Sequence, residues 1–247
     1  KVYLTSITEQ FATISLNGPY ALDLMKKLCP NKNFSKENFP HMSFQNIEID
    51  GVSCRVMRIS FTGEMCYEIN VPSSYAKALW KKCFDLGQEY NITPYGTEAM
   101  HVLRAEKGFI IVGQETDGSV TPIDLDMSWI VNKKKYDFIG KRALYRSDTI
   151  RENRKQLVGI LTKDPKEVLE EGAQLVEKIS ALPMEMIGHV TSSYYSPNLG
   201  RSFALALVKE GLKKKKLSIF APMPNKTIEA TITSPVFIDP SNERLSA

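Results

Sequence analysis

The sequence has little of what metal and redox chemistry needs. Its four cysteines, Cys29, Cys54, Cys66 and Cys83, form no CxxC pair, and its three histidines, His41, His101 and His189, do not fall near them at metal-ligand spacing. No zinc or other metal site is expected, and the thiols read as small buried hydrophobes of a reducing compartment such as the cytoplasm. With 14 glycines the chain is not glycine-rich. No GxGxxG or Walker loop follows a predicted strand, which excludes nucleotide sites of those types. GxSxG elbows and HExxH helices are absent too. No apolar run approaches the roughly 20 residues of a spanning helix, so no membrane partner is expected. Thirty-two Lys and Arg against 28 Asp and Glu leave +4, an excess that suits small anionic ligands but does not point to nucleic acid. An initiating Met is also missing. Lys1 opens on VYLTSITEQFATISL, which alternates like a strand in mid-domain, so the sequence reads as a piece of a longer polypeptide.

What is present is an ordinary globular composition: 247 residues, 43% hydrophobic and 24% charged. That length folds without disulfides as one large or two modest domains. Asn17-Gly18-Pro19 ahead of Ala21, Leu22, Met25 and Leu28 predicts a capped amphipathic helix ended by Pro30. Val52–Ser60 and Tyr67–Val71, with Thr62-Gly63 between them, predict a hairpin. Ser73 and Ser74 open a helix closed by Gly87, and a further helix runs from Thr97 to Lys107 with Gly108 as its cap. The charged stretch Arg146–Lys155 reads as a linker. Beyond it LVGILT, GAQLVE, MIGHVTSS, RSFALALV, KLSIFA and KTIEATITS have the spacing of a small barrel or sandwich. The expected class is α+β, with a domain over 1–150 and a β domain over 151–247.

One constellation stands out, the hairpin FTGEMCYE, Phe61–Glu68. Residues two apart on a strand share a face, so Cys66 and Glu68 point one way and Tyr67 the other. A carboxylate among apolar neighbours complements a flat ligand edge or an Arg fork with two adjacent donors. The plainer reading has Glu64 as a solvated turn acid and Glu68 paired with Arg55 or Arg58. Arg104 is either a ligand anchor or a helix-end cation paired with Glu106 or Glu98. Lys213–Lys216 reads as a solvated hairpin tip.

Six stretches in order resemble one family: ATISLNGPYA (12–21), RISFTGEMCYEINVP (58–72), GTEAMHVLRAEKG (96–108), VTPIDLDMSWIV (120–131), DFIGKRAL (137–144) and SSYYSPNLGRSFALALV (192–208). They are similar to the tetrahydrofolate-dependent aminomethyltransferases, the T-protein of glycine cleavage and its relatives fused to amine-oxidising flavoproteins. GQETDG and the ending TSPVFIDPSNERL resemble the carboxyl-terminal part of sarcosine oxidase alpha subunits in particular. The resemblance implies an α+β architecture: a T-protein-like folate-binding α/β domain, N-terminally incomplete, followed by a small carboxyl-terminal β-barrel. It implies tetrahydrofolate as ligand, and Glu68 as the acid that grips the pterin edge. Phe61 stands where relatives often carry Tyr, and Tyr67, Arg104 and Tyr195 are weaker candidates for the pocket rim. It further implies that the family's catalytic aspartate lies upstream of Lys1, that flavin and NAD belong to other parts or subunits, and that the partners are other sarcosine oxidase subunits. The implied activity is capture of the one-carbon unit of oxidised sarcosine as 5,10-methylenetetrahydrofolate. A free-standing T-protein and a non-catalytic folate-binding or scaffold module are the alternatives. Met100, where T-proteins carry an arginine, argues against the first, and leaves Lys107, Arg201 or the Lys133 turn as cations for the ligand's tail.

Overall fold

The computed structural model describes residues 1–246. The chain packs as two compact units, Lys1–Leu103 together with the segment from Asp239, and Arg104–Ile238.

The first unit is built on an antiparallel sheet. Its strands are β1 (Phe11–Asn17), β2 (Ser43–Ile49), β3 (Val52–Arg58) and β4 (Cys66–Pro72), in the order β1-β4-β3-β2. Alternation in these strands puts Ile14, Leu16, Ile47, Ile49, Cys54, Val56, Tyr67, Ile69 and Val71 on one face. Helices α1 (Ala21–Leu28) and α2 (Ala76–Gly87) add Leu24, Met25, Leu28, Leu79 and Cys83 to that core. Each large aliphatic side chain so buried stabilises the unit by about 1.5–3 kcal/mol. The predicted hairpin is β3–β4, with Val56 opposite Ile69 and Met57 opposite Glu68.

Local signals differ from the structure at three points. Asn17 ends β1 and does not cap α1, whose N-cap is Tyr20, because its side-chain oxygen, the group a cap would use, accepts from the Thr62 hydroxyl instead. Ser73 bonds the Glu9 carbonyl at 2.7 Å, and a single 3-10 turn precedes α2. Only residues 11–17 of the alternating opening stretch pair as a strand.

The helix over 97–107 forms as α3 (Thr97–Glu106), with Gly108 left-handed after it at φ +76°. The packing division falls inside α3 and not at the 150/151 boundary read from the sequence. Its physical reason is that Arg104 and Glu106, both buried, bond residues of the second unit. Nor is 146–155 a free linker: Arg154 forks onto Asp124 at 2.6 and 2.7 Å and also holds Asp148 at 2.9 Å.

All six apolar runs form strands: β5 (Lys155–Thr162), β6 (Gln174–Val176), β7 (Met186–Ser196), β8 (Arg201–Lys209), β9 (Ser218–Met223) and β10 (Lys226–Thr233). They close into a barrel, β10-β5-β8-β7-β6-β9. Its interior alternates small and branched side chains, Ala204, Ala206, Ala221 and Ala230 among Val158, Ile160, Val208, Ile219 and Ile232, which suits a narrow barrel. Gly159 on β5 is required by close approach, since a Cβ there would lie 2.2 Å from the Ser234 carbonyl oxygen.

The Asp124–Arg154 fork makes a stability prediction. Burial alone would raise the Asp124 pKa, but Arg154 and the Thr121 amide and hydroxyl, both at 2.8 Å, outweigh it and hold the carboxyl below its usual range. A depressed acid contributes stability above its unfolded pKa, and that contribution is lost as pH falls through the folded value. Asp124→Asn is expected to cost about 1–3 kcal/mol at pH 7. The gap between the two proteins should narrow below about pH 4, which denaturant unfolding at pH 7 and pH 3 measures.

Candidate functional site

The face of the first sheet opposite its core is polar. Strand β1 runs antiparallel to β4 along its whole length, with Thr13 opposite Asn70, Ser15 opposite Glu68 and Asn17 opposite Cys66. Thr13 donates to Asn70 at 2.8 Å, and Ser15 meets the Cys66 thiol at 3.3 Å. Asn17 ties three elements together. Its amide nitrogen donates to Ser15 at 2.8 Å and to the Tyr95 hydroxyl at 2.5 Å, and its oxygen accepts from Thr62 at 2.9 Å. Burial, above all, raises the Tyr95 pKa; the Ser15 hydrogen bond opposes this, and the charges of Cys66 and Glu68 add to it.

Glu68 sits in this polar row without joining it. Its carboxylate makes no hydrogen bond and no ion pair among the described residues, and burial raises its pKa above the ordinary carboxylate value. The plainer pairing does not form. Arg55 lies over the Phe44 ring at 5.6 Å, and the buried Arg58 donates to the Phe39 carbonyl at 2.6 Å. Glu64 is not a free turn acid either, since it pairs with Arg244. A half-buried carboxylate whose two oxygens lack donors among the described residues has the chemistry to accept hydrogen bonds from a ligand.

The other sequence-predicted residues divide. Phe61 is half-buried in the loop leading into β4. Tyr67 is wholly buried on the opposite face of β4 from Glu68, packed on Phe34 and Phe39 at 5.9 and 5.8 Å, so it belongs to the core and does not reach this row. Arg104 is likewise corrected. Its exposure is 0%, and its guanidinium donates to Glu115 at 2.9 Å, Ser192 at 2.7 Å, Tyr194 at 3.3 Å and the Phe109 carbonyl at 3.0 Å. Those bonds stay within the second unit and make it a packing residue; neither Glu98 nor Glu106 is its partner. Tyr195, on β7 of the same unit, is 47% exposed beside the buried Tyr194. Arg201 donates to the Thr162 carbonyl at 2.5 Å, and Lys107 is buried.

Ser15, Asn17 and Tyr95 were missed by the sequence reading. The signal that could have found the first two is TISLN in β1, whose alternation places residues 13, 15 and 17 on the Glu68 side once β1 is paired with β4. Tyr95 lies in a loop and carries no periodic signal.

A cleft of about 620 Å³ borders the row. It is lined by β1, the start of α1, the Trp80–Phe84 side of α2, the loop over Asn91–Gly96 and Met100 of α3. The four thiols contribute no nucleophile: all are buried, and burial pushes Cys29 and Cys83 up to about 11 and Cys66 up to about 12. Among the described residues no helix is long and apolar enough to cross a membrane, and no group of three metal-ligating side chains gathers.

Residues 1–135 match the family model for the GCVT N-terminal domain, and residues 155–239 that for the glycine cleavage T-protein C-terminal barrel domain. The chain belongs to the glycine cleavage T-protein family. Among T-protein-family relatives it is 48% identical over 249 residues to the sarcosine oxidase subunit alpha of Corynebacterium sp. (strain P-1), covering 98% of this chain and 25% of that one. The corresponding subunit of Rhizobium meliloti (strain 1021) is 35% identical, over 99% of this chain and 25% of its own length. The chain thus spans about a quarter of these relatives. An aminomethyltransferase of Thermoanaerobacter pseudethanolicus is 30% identical, over 96% of this chain and 62% of that one. The crystal structure of glycine cleavage system aminomethyltransferase T from Bartonella henselae superposes with a TM-score of 0.78 at 24% identity, over 93% of this chain and 60% of that one, and shares its T-protein fold.

Proposed function

We propose that this chain is the tetrahydrofolate-binding part of a sarcosine oxidase alpha subunit, receiving the one-carbon unit released when sarcosine is oxidised elsewhere in that enzyme. The observation that carries this reading is Glu68: a half-buried carboxylate with a raised pKa and no partner among the described residues, held between paired strands. Its two oxygens match the adjacent ring N–H and exocyclic amine of a pterin edge, which bidentate acceptance recognises best. When bound, the folate supplies the nitrogen nucleophiles that take up the one-carbon unit. In this chain Glu68 orients, and Ser15, Asn17 and Tyr95, already bonded to one another, keep the polar face rigid beside it. The aspartate that handles the proton, the flavin and the NAD are assigned to other parts of the parent enzyme, and its other subunits are the proposed partners. Relatives of two names match, and the higher identities to the sarcosine oxidase subunits favour that enzyme over a free-standing aminomethyltransferase. Four free cysteines suit the cytoplasm as its location.

The test is calorimetric titration with folinic acid. It is run on this chain and on a chimera in which the chain replaces the matched quarter of the Corynebacterium sp. (strain P-1) subunit. Saturable binding that Glu68→Gln weakens is the expected result. No saturable binding to either protein overturns the reading.

A further inference from the structure

The polar row beside Glu68 holds one hydrogen-bond donor that its own bonds leave over. Thr13 donates to Asn70 at 2.8 Å, and Thr62 donates to the Asn17 oxygen at 2.9 Å. Both N–H groups of the Asn17 amide are taken, one by the Ser15 hydroxyl at 2.8 Å and the other by the Tyr95 oxygen at 2.5 Å. Ser15 acts on the same Tyr95 oxygen as a donor, since its hydrogen bond favours the phenolate. A phenol oxygen that accepts in this way keeps its own O–H for a further group. Among the described residues that O–H meets no acceptor. Tyr95 is 40% exposed and lines the 620 Å³ cleft together with Ser15 and Asn17, so its proton is within reach of a ligand there.

We infer that the Tyr95 hydroxyl is a specificity-determining donor of the ligand site, bonding a ring carbonyl oxygen next to the edge that Glu68 holds. The inference rests on the folate reading and supplies what that reading leaves open, the group that recognises the rest of the pterin edge. A 4-oxo pterin presents three groups in a row: exocyclic amine, ring N–H and carbonyl oxygen. Glu68 matches the first two with its two acceptor oxygens. It repels the third, because an ionised carboxylate has no proton to give. A donor is therefore required beside it. Ser15 stands directly opposite Glu68 in the β1–β4 register, and Tyr95 is bonded to Asn17, two residues further along the same strand face. The charge of Glu68 acts on Tyr95, which brings the acceptor pair and the donor into one site. A 2,4-diamino ring carries an amine in place of the carbonyl and so offers Tyr95 a donor where an acceptor is needed. Together Glu68 and Tyr95 select oxo over amino pterins.

Calorimetric titration with folinic acid, which has the carbonyl, and with aminopterin, a 2,4-diamino analogue, tests the assignment in this chain and in the same chimera. The parent should bind folinic acid more tightly than aminopterin. Tyr95→Phe should weaken folinic acid by about 2–10-fold, the contribution of one neutral hydrogen bond, and should narrow the preference over aminopterin by the same factor. The Asn17 bonds to Ser15 and Thr62 do not involve Tyr95 and stay in place in the variant. Unchanged folinic acid affinity in Tyr95→Phe, with the parent binding saturably, overturns the inference and leaves the folate reading standing. Equal losses for the two ligands also overturn it, since they make Tyr95 a support of its loop and not a reader of the carbonyl. Absence of folinic acid binding to either parent protein overturns both readings together.

Discussion

Arg104→Met destabilises the second unit by about 3–5 kcal/mol, the cost of removing one partner from a fully buried ion pair. Both side chains of the Arg104–Glu115 pair have zero exposure at 2.9 Å separation, so the variant leaves the Glu115 carboxylate inside the protein without its countercharge. Ser192 bonds both members, and the Ile111 amide donates to Glu115 at 2.8 Å. These bonds stabilise the charged form but do not neutralise it. The same pair ties the end of α3 to β7 and to the loop over 109–116, so the loss reaches three segments at once. Replacing both partners, Arg104→Met with Glu115→Leu, should recover most of the deficit, because two apolar side chains need no partner. Guanidinium denaturation measures both variants. A single variant within 1 kcal/mol of the parent would show that the pair is not what holds these segments.

The contrast between Arg104 and Glu68 shows how far the sequence could be read. Both are charged residues in apolar company, and residue type alone leaves ligand and packing roles open for each. Periodicity marked the helices, the β3–β4 hairpin and all six barrel strands, because each buries a one-sided apolar pattern in its own segment. Roles set by long-range pairing were hidden. Glu115 lies in a loop without periodicity, 11 residues from Arg104, and Ser192 lies 88 residues away on a strand. The face of Tyr67 opposite Glu68 was legible from the pleat, but its burial against Phe34 and Phe39 was not, since those rings come from an irregular stretch. The linker reading of 146–155 missed for the same reason. Arg154 looks like solvated charge until Asp124, 30 residues earlier, is placed beside it.

Glu68→Gln should weaken folinic acid binding by about 10–100-fold, since a charge-assisted hydrogen bond contributes about 1.5–3 kcal/mol and each 1.4 kcal/mol is tenfold. The amide keeps the shape of the side chain but replaces one acceptor oxygen with a donor, which meets the ligand's own donor head on. Glu68 takes no part in the Asn17 network, so the variant leaves the bonds among Ser15, Asn17, Thr62 and Tyr95 intact. The pH dependence follows from burial. A raised pKa means that the folded protein prefers the protonated acid, so Glu68 lowers stability as pH rises from the unfolded value through the folded one. Glutamine does not titrate. The variant should therefore unfold at the same temperature as the parent or slightly higher at pH 7, and the difference should vanish at low pH. Binding runs the opposite way: ligand needs the ionised carboxylate, so parent affinity should fall as pH drops through a value above the usual 4.5, while that of the variant stays flat. The combination of weaker binding with an unchanged or higher melting temperature separates a ligand-holding acid from a structural one. Equal affinity in the two proteins, or lost affinity accompanied by a lower melting temperature, removes Glu68 from the site.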